Sequence, residues 1–331
     1  MVKSGELMNK SLVKGIDKFS ECKILVIGDI IVDEFVWGRV ERVSPEAPVP
    51  IVNLERESLM LGGAGNVVNN IISLGGKAIL CGVAGSDATS WKLKEMLRDV
   101  GCTTDYILTD DQRPTTIKTR IVAHSQQVVR VDRENVKPID SNHVEKILKA
   151  ISERLPTLQA IIIADYGKGV VTQELMDGVR SLVPENILLA IDPKVRNINL
   201  YKDCTLITPN SYEAKLMSGA STINEAGQFL LDRLNCKIVL ITRGEKGMSL
   251  FIEDKIIEIP TAAKKVFDVS GAGDTVISTF TLCLVAGLDP VQSATLANAA
   301  AGLVVAEVGT ATVTSAKLKE FIWEKKWTTT K

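Results

Sequence analysis

CKILVIGD, residues 22–29, decides the fold. Ile24, Leu25, Val26 and Ile27 follow one another with no polar residue between them, so the segment reads as a strand buried on both faces. Such strands belong to parallel sheets covered by helices on each side. The run ends on Gly28–Asp29, a turn that carries an acid. Outward from it, GGAGNVVNNIISLGG (62–76) reads as a loop entering a helix that ends on glycine. AILCGVAGSD (78–87) is a second strand, and SWKLKEMLRDVG (90–101) a helix closed by Gly101. LQAIIIAD (158–165), NILLAID (186–192), CTLITPN (204–210) and KIVLITRG (237–244) are further strands. Helical patterns lie at 143–155, 172–183, 211–218 and 223–235, then at 273–287, 290–307 and 315–325. This alternation predicts an α/β fold with a mostly parallel sheet. Ligands of such sheets bind beyond the carboxyl ends of the strands, where Asp29, Asp165, Asp192, Asn210 and Thr242 fall.

Two segments break the rhythm. Residues 31–61, with FVWGRVERVSPEAPVPIVNLE, and 115–134, with TTIKTRIVAHSQQVVRVDRE, alternate apolar and polar residues. That is the mark of half-exposed strands, expected here as a small second sheet lying over the active edge. With no repeat and no Pro/Gly/Ser linker, residues 1–331 read as a single domain carrying this lid.

The 39 Lys and Arg against 40 Asp and Glu leave a net charge of −1, which argues against nucleic-acid or membrane partners. Any anion must therefore be caught locally. The six cysteines are scattered with no CxxC pair and are expected as buried thiols. The first fifteen residues lack the apolar core of a secretory signal, and no apolar run is long enough to span a membrane. A cytoplasmic location is the expectation.

DVSGAGDTVISTF (268–280) carries the strongest chemical signal. A helix is expected to start near Gly273, with the uncovered amides of Gly271, Ala272 and Gly273 at its positive end. Asp274 follows at once and could orient an attacking hydroxyl, or simply serve as a helix-start acid. Its position predicts a low pKa. In GGAGN, the glycines Gly62, Gly63 and Gly65 would let a polyol approach, with Asn66 as a bidentate hydrogen-bonder; close helix–sheet packing is the alternative. Neither GxGxxG nor a P-loop is present. Asn210 and Glu213 lie three apart at a helix start, fit either for Mg²⁺ held through water or for a capping box. ITRGEKGMSLF (241–251) reads as a strand, a glycine turn and a strand.

In this order and spacing, from about Lys23 to Val313, these motifs resemble the ribokinase-like, or PfkB, carbohydrate kinases. The resemblance implies a three-layer α/β/α fold with a β-sheet lid, and ATP and Mg²⁺ as cofactors, a monovalent cation being a further candidate. It implies Asp274 as catalytic base beside an anion hole of Gly271, Ala272 and Gly273. Asn210, Ser211, Tyr212 and Glu213 would serve Mg-ATP, Thr242, Gly244 and Gly247 would border ATP, and Asn298 would lie near adenine or ribose. GRVERVSPEAPVPIV (38–52), KTRIVAHSQQVVRVDRE (118–134) and ADYGKGV (164–170) look like those of the members that phosphorylate D-glycero-β-D-manno-heptose 7-phosphate at O1, on the route to ADP-heptose. Many of those carry a second, adenylyltransferase domain. The only histidines here, His124 and His143, cannot make its HxGH motif, so the resemblance is to the kinase half.

For the sugar, Asp29 and Asp33 are the expected hydroxyl acceptors, and Lys168, Lys194, Arg130 and Arg133 the candidates for its phosphate. A homodimer through the lid strands is expected. The rival readings are another kinase of the family, for ribose, fructose, a hexose phosphate or a nucleoside, and a non-catalytic sugar-phosphate sensor on the same scaffold.

Overall fold

The structure is a computed structural model that describes residues 2–124, 126–263, 266, 269–307 and 311–324. The last residue of the helix expected at 315–325 lies outside them. Along the chain the strands are β1 (Lys23–Gly28), β2 (Ile30–Val43), β3 (Pro50–Gly63), β4 (Lys77–Ala84), β5 (Ile107–Thr109), β6 (Thr116–Ala123) and β7 (Gln126–Arg133). They continue with β8 (Ala160–Ala164), β9 (Leu188–Asp192), β10 (Leu206–Ile207), β11 (Ile238–Thr242), β12 (Met248–Ile252) and β13 (Lys255–Ile259). The helices are α1 (Val2–Asp17), α2 (Ala64–Ser73), α3 (Ala88–Asp99), α4 (Ser141–Arg154), α5 (Gln173–Leu182), α6 (Ser211–Ser218), α7 (Ile223–Leu234), α8 (Ala272–Val285), α9 (Pro290–Val304) and α10 (Ser315–Glu324).

Nine strands form the main sheet in the order β13-β12-β11-β10-β9-β8-β1-β4-β5. From β5 to β11 every pairing is parallel; β12 and β13 add an antiparallel edge. Residues of one strand alternate between two cores. Ile24 and Val26 of β1 pack with Leu12, Ile71, Phe280 and Leu318, under α1, α2, α8 and α10. Leu25 and Ile27 pack with Ile147, Leu175 and Leu230, under α4, α5 and α7. This three-layer arrangement is why β1 reads as uninterrupted aliphatic sequence. The sequence reading has no helix at α1, whose Leu12 and Ile16 are buried.

β1 is the seam of the sheet, with β4 on one side and β8 on the other. Chain segments therefore leave its carboxyl end in opposite directions and open a crevice there. Over that crevice stands the second sheet, in the order β3-β2-β6-β7. β2 starts one residue after Asp29 and β3 runs straight into α2, so both long strands are rooted at the crevice. All six cysteines are free and buried, and among the described residues no helix is long and apolar enough to cross a membrane.

Candidate active site

A cavity of about 310 Å³ lies between the carboxyl ends of the parallel strands, the start of α8 and the second sheet. Gly271, with φ 76° and ψ 0°, is the residue before α8; glycine adopts this left-handed turn without the strain a Cβ would bring. α8 begins at Ala272, one residue earlier than expected, and no side chain caps it. Ser270, Gly271, Gly273 and Asp274 line the cavity, whereas the Ala272 N–H turns back to the Val269 carbonyl at 3.2 Å. The expected anion hole of three amides is thus reduced, because the tight turn that exposes its neighbours uses the middle one.

Asp274 is only 6% exposed. Its Oδ2 accepts the Asn66 side-chain amide at 2.6 Å, and its Oδ1 meets the Tyr166 hydroxyl. Tyr166 also touches Asp192 Oδ2 at 3.0 Å. A phenol has one proton to give. It can therefore serve only one of the two carboxylates at a time. Burial, with Asp274 and Glu213 close by, pushes the Asp192 carboxyl well above the usual range. Burial pushes Asp274 up to about 6, although Tyr166, Asn66 and Lys118 oppose this. The low pKa expected from the helix dipole is therefore not found: loss of water outweighs the dipole.

Asn66 does not reach the cavity as a sugar ligand. It is fully buried on α2 and its amide is given to Asp274. Behind it, Asn70 donates to the Asn66 carbonyl at 2.9 Å, and Thr275 Oγ1 donates to Asn70 Oδ1 at 2.8 Å. Ser278 Oγ reaches the Val67 carbonyl at 3.0 Å. These bonds tie α2 to α8 and fix the Asp274 rotamer.

On one side of Asp274, Asn210 and Glu213 line the cavity and also form a capping box for α6. Asn210 accepts the N–H groups of Tyr212 and Glu213, and Glu213 accepts that of Asn210 at 3.0 Å. Thr242 lines the same wall, and its carbonyl accepts the Ser211 hydroxyl at 3.0 Å. Ser211 gives its one proton there and does not line the cavity, and neither does Tyr212, which is 72% exposed. Gly244 and Gly247 turn the chain between β11 and β12 and do not line the cavity either. Asn298 is likewise absent from its wall; buried on α9, it donates to the Pro260 carbonyl at 2.7 Å. Lys194 lines the cavity, and its charge, after the Asn210 N–H, counters the upward push of burial on Glu213.

The opposite side is built from the lid. Asp33 lines the cavity and accepts Arg120 Nη1 at 2.6 Å. Gly62 lies behind it: a Cβ there would come within 2.3 Å of Asp33 Oδ2, so glycine is required for the acid rather than for a sugar. Gly63 lines the cavity beside Ile31, and Gly65 lies under Leu61. Asp29 is placed elsewhere. It is 1% exposed, and both its oxygens are consumed by the N–H groups of Tyr166, Lys168 and Val170 at 2.9, 2.9 and 3.1 Å. Lys168 and Arg130, expected at a sugar phosphate, do not line the cavity and are neutralised by Glu134 at 2.6 Å and Asp132 at 2.9 Å. The cations that do line it on this side are Lys118 and Arg120. Sequence reasoning missed both, along with Tyr166.

The chain matches the family model described as "pfkB family carbohydrate kinase" over residues 22–317. It is 42% identical over 308 residues to the bifunctional protein HldE of Desulfatibacillum aliphaticivorans, covering 91% of this chain and 63% of that protein. With the bifunctional protein HldE of Helicobacter hepaticus it shares 42% over 306 residues, 91% of this chain and 64% of that one. The chain thus spans under two thirds of the length of these relatives. The fold is that of the Arabidopsis thaliana ribokinase complexed with ribose and ATP (TM-score 0.72, 20% identity, 91% of this chain and 98% of that one). It is equally that of phosphofructokinase-2 from Escherichia coli in complex with substrates and products (TM-score 0.73, 16% identity, 92% and 99%).

Proposed function

Because the chain belongs to the pfkB family of carbohydrate kinases and is an ATP-dependent sugar kinase, we propose that its acceptor is D-glycero-β-D-manno-heptose 7-phosphate, phosphorylated at O1 to the 1,7-bisphosphate, an ADP-heptose precursor. The observation that carries the chemistry is the Asp274 carboxylate, held from two sides at the start of α8 and open to the cavity. The choice of sugar rests on the lid segments 38–52 and 118–134 and on the DYGKG loop.

Asp274 aligns the acceptor hydroxyl and takes its proton; a carboxylate with a pKa of about 6 is a better base than an exposed one and is still ionised at neutral pH. Tyr166 and Asn66 keep its two oxygens in one orientation. The amides of Gly271 and Gly273 face the transferred phosphoryl group, where helix-start N–H groups offset developing negative charge. Asp33 accepts sugar hydroxyls, and the lid excludes water that would otherwise take the phosphoryl group. Ribokinase-like kinases use ATP with a divalent metal, and the donor set here suits Mg²⁺. Glu213 raises the proton affinity of Asp192, and both line the cavity; a cation bound there through water would relieve that repulsion. Such an ion, when bound, neutralises charge on the donor phosphates.

Val129 and Val131 on edge strand β7 are 45% and 54% exposed, which supports a homodimer through the lid; light scattering showing only monomer would refute it. A cytoplasmic location, with neither nucleic acid nor membrane as partner, accords with six free thiols and near-zero net charge. The decisive experiment is ADP release with a panel of sugars. Heptose 7-phosphate is expected to be turned over far faster than ribose, fructose or hexose phosphates; turnover of ribose without heptose 7-phosphate would overturn the reading.

A further inference from the structure

We propose that Lys118 and Arg120 on β6 form the binding site for an anionic group, a phosphate, on the acceptor sugar, and so select phosphorylated over neutral sugars; this deepens, and rests on, the sugar-kinase reading above. The two residues are two apart on one strand, so they project from the same face of the small sheet, and both line the cavity. Thr119 between them hydrogen-bonds Glu34 at 2.5 Å.

The cations around this wall differ in how their charge is met. Lys168 is 2.6 Å from Glu134, and Arg130 makes two bonds to Asp132 at 2.9 and 3.0 Å. Arg120 gives one nitrogen to Asp33 while its guanidinium carbon lies 5.2 Å from the centre of the Phe35 ring. That anchors the fork without using all of its N–H groups. Lys118 makes no ion pair or side-chain hydrogen bond among the described residues, yet it is half-buried beside Lys168 and Arg130. Burial and those two like charges pull its ammonium below the ordinary range, against Asp33 and Asp132, which are already paired with Arg120 and Arg130. A half-buried cation in that position is stabilised by an anion that arrives from outside the chain.

Position says to which substrate that anion belongs. The charge of Lys194 acts on Glu213, on the wall shared with Asn210 and Thr242, so it serves the phosphoryl donor. Lys118 instead pairs in register with Asp33 on β2, on the lid side of Asp274. An anion held there is carried by the acceptor, with the attacked hydroxyl between it and the donor.

The test compares KM and kcat for heptose 7-phosphate, for the same heptose without its phosphate, and for ATP. Lys118→Met is expected to raise KM for the phosphorylated sugar about 30-fold, the loss of one charged hydrogen bond, with kcat within about threefold. KM for ATP should stay unchanged, the preference for the phosphorylated over the neutral sugar should fall by the same factor of about 30, and Lys118→Arg should recover most of the loss. An unchanged KM for heptose 7-phosphate, an equal rise for both sugars, or a rise for ATP instead would each overturn the inference. A wild-type enzyme that prefers neutral heptose or ribose would overturn the parent reading, whatever the variant does.

Discussion

Two regions of the crevice each bury one aspartate, and they use it in opposite ways. At the carboxyl end of β1, Asp29 is ringed by three backbone N–H groups from the loop 166–170, and nothing of its carboxylate is left for a ligand. In the first turn of α8, Asp274 is held by two side chains, and it still faces the cavity. Burial raises the proton affinity of both. The difference lies in the partners. Backbone donors lock a loop in place, whereas side-chain donors orient an acid and leave it reactive. Burial and a raised pKa therefore do not by themselves mark a catalytic carboxylate.

The sharpest way to break this comparison is to neutralise each acid. Asp274→Asn is expected to lower kcat about a thousandfold, within the range for loss of a general base, while thermal unfolding stays near that of the wild type. Asp29→Asn should do the reverse. Its amide offers one acceptor to three donors and points an NH₂ at them, costing about 3 kcal/mol of stability in urea unfolding. The kcat of the folded fraction should then fall by no more than about tenfold, the loss expected when Tyr166, carried on the same loop, no longer holds Asp274. If Asp29→Asn lost activity with no change in stability, the division of labour would be wrong.

Tyr166→Phe sharpens the comparison by removing one of the two holders of Asp274. The ionised carboxylate is the active form, so kcat/KM should climb with pH through about 6 and then level off. The Tyr166 hydrogen bond lowers the Asp274 pKa, so its loss moves that limb to higher pH. A rate loss of about tenfold at neutral pH is expected, from poorer orientation together with partial protonation. A variant with lower kcat but an unmoved limb would mean that Tyr166 acts only structurally.

How much of this was legible beforehand follows from what is local. The uninterrupted aliphatic run of β1 and the alternation of the lid segments are properties of neighbouring residues, and so is an acid directly after GAG. Asp29 and Asp33 could not be told apart, because what separates them is a loop some 140 residues later folding back over the first. Tyr166 and Asn66 meet Asp274 across 108 and 208 residues. Lys118 and Arg130 sit on adjacent strands of similar composition; only register decides which side chain faces the cavity and which finds an acid. The glycine at 62 was read as room for a ligand, when the atom needing room is an oxygen of Asp33.

The smallest effect should come from the far end of the network behind Asp274. Thr275→Val keeps the side-chain shape and removes the hydroxyl that donates to Asn70 Oδ1, in a position with no access to water. The loss leaves a buried acceptor without that donor, worth about 1 kcal/mol of stability. Its routes to the reacting atoms run through Asn70 and then Asn66 to Asp274, and through a longer 3.2 Å contact with the Gly271 carbonyl, and each link can relax. The expected fall in kcat is therefore less than about threefold, with the acid limb of the pH profile unmoved, since Thr275 does not touch the carboxylate. A tenfold fall with an unmoved limb would mean that α2 and α8 position Asp274 as one rigid unit. The contrast with Asp29 would then extend beyond the two side chains that hold Asp274 to the whole helix pair.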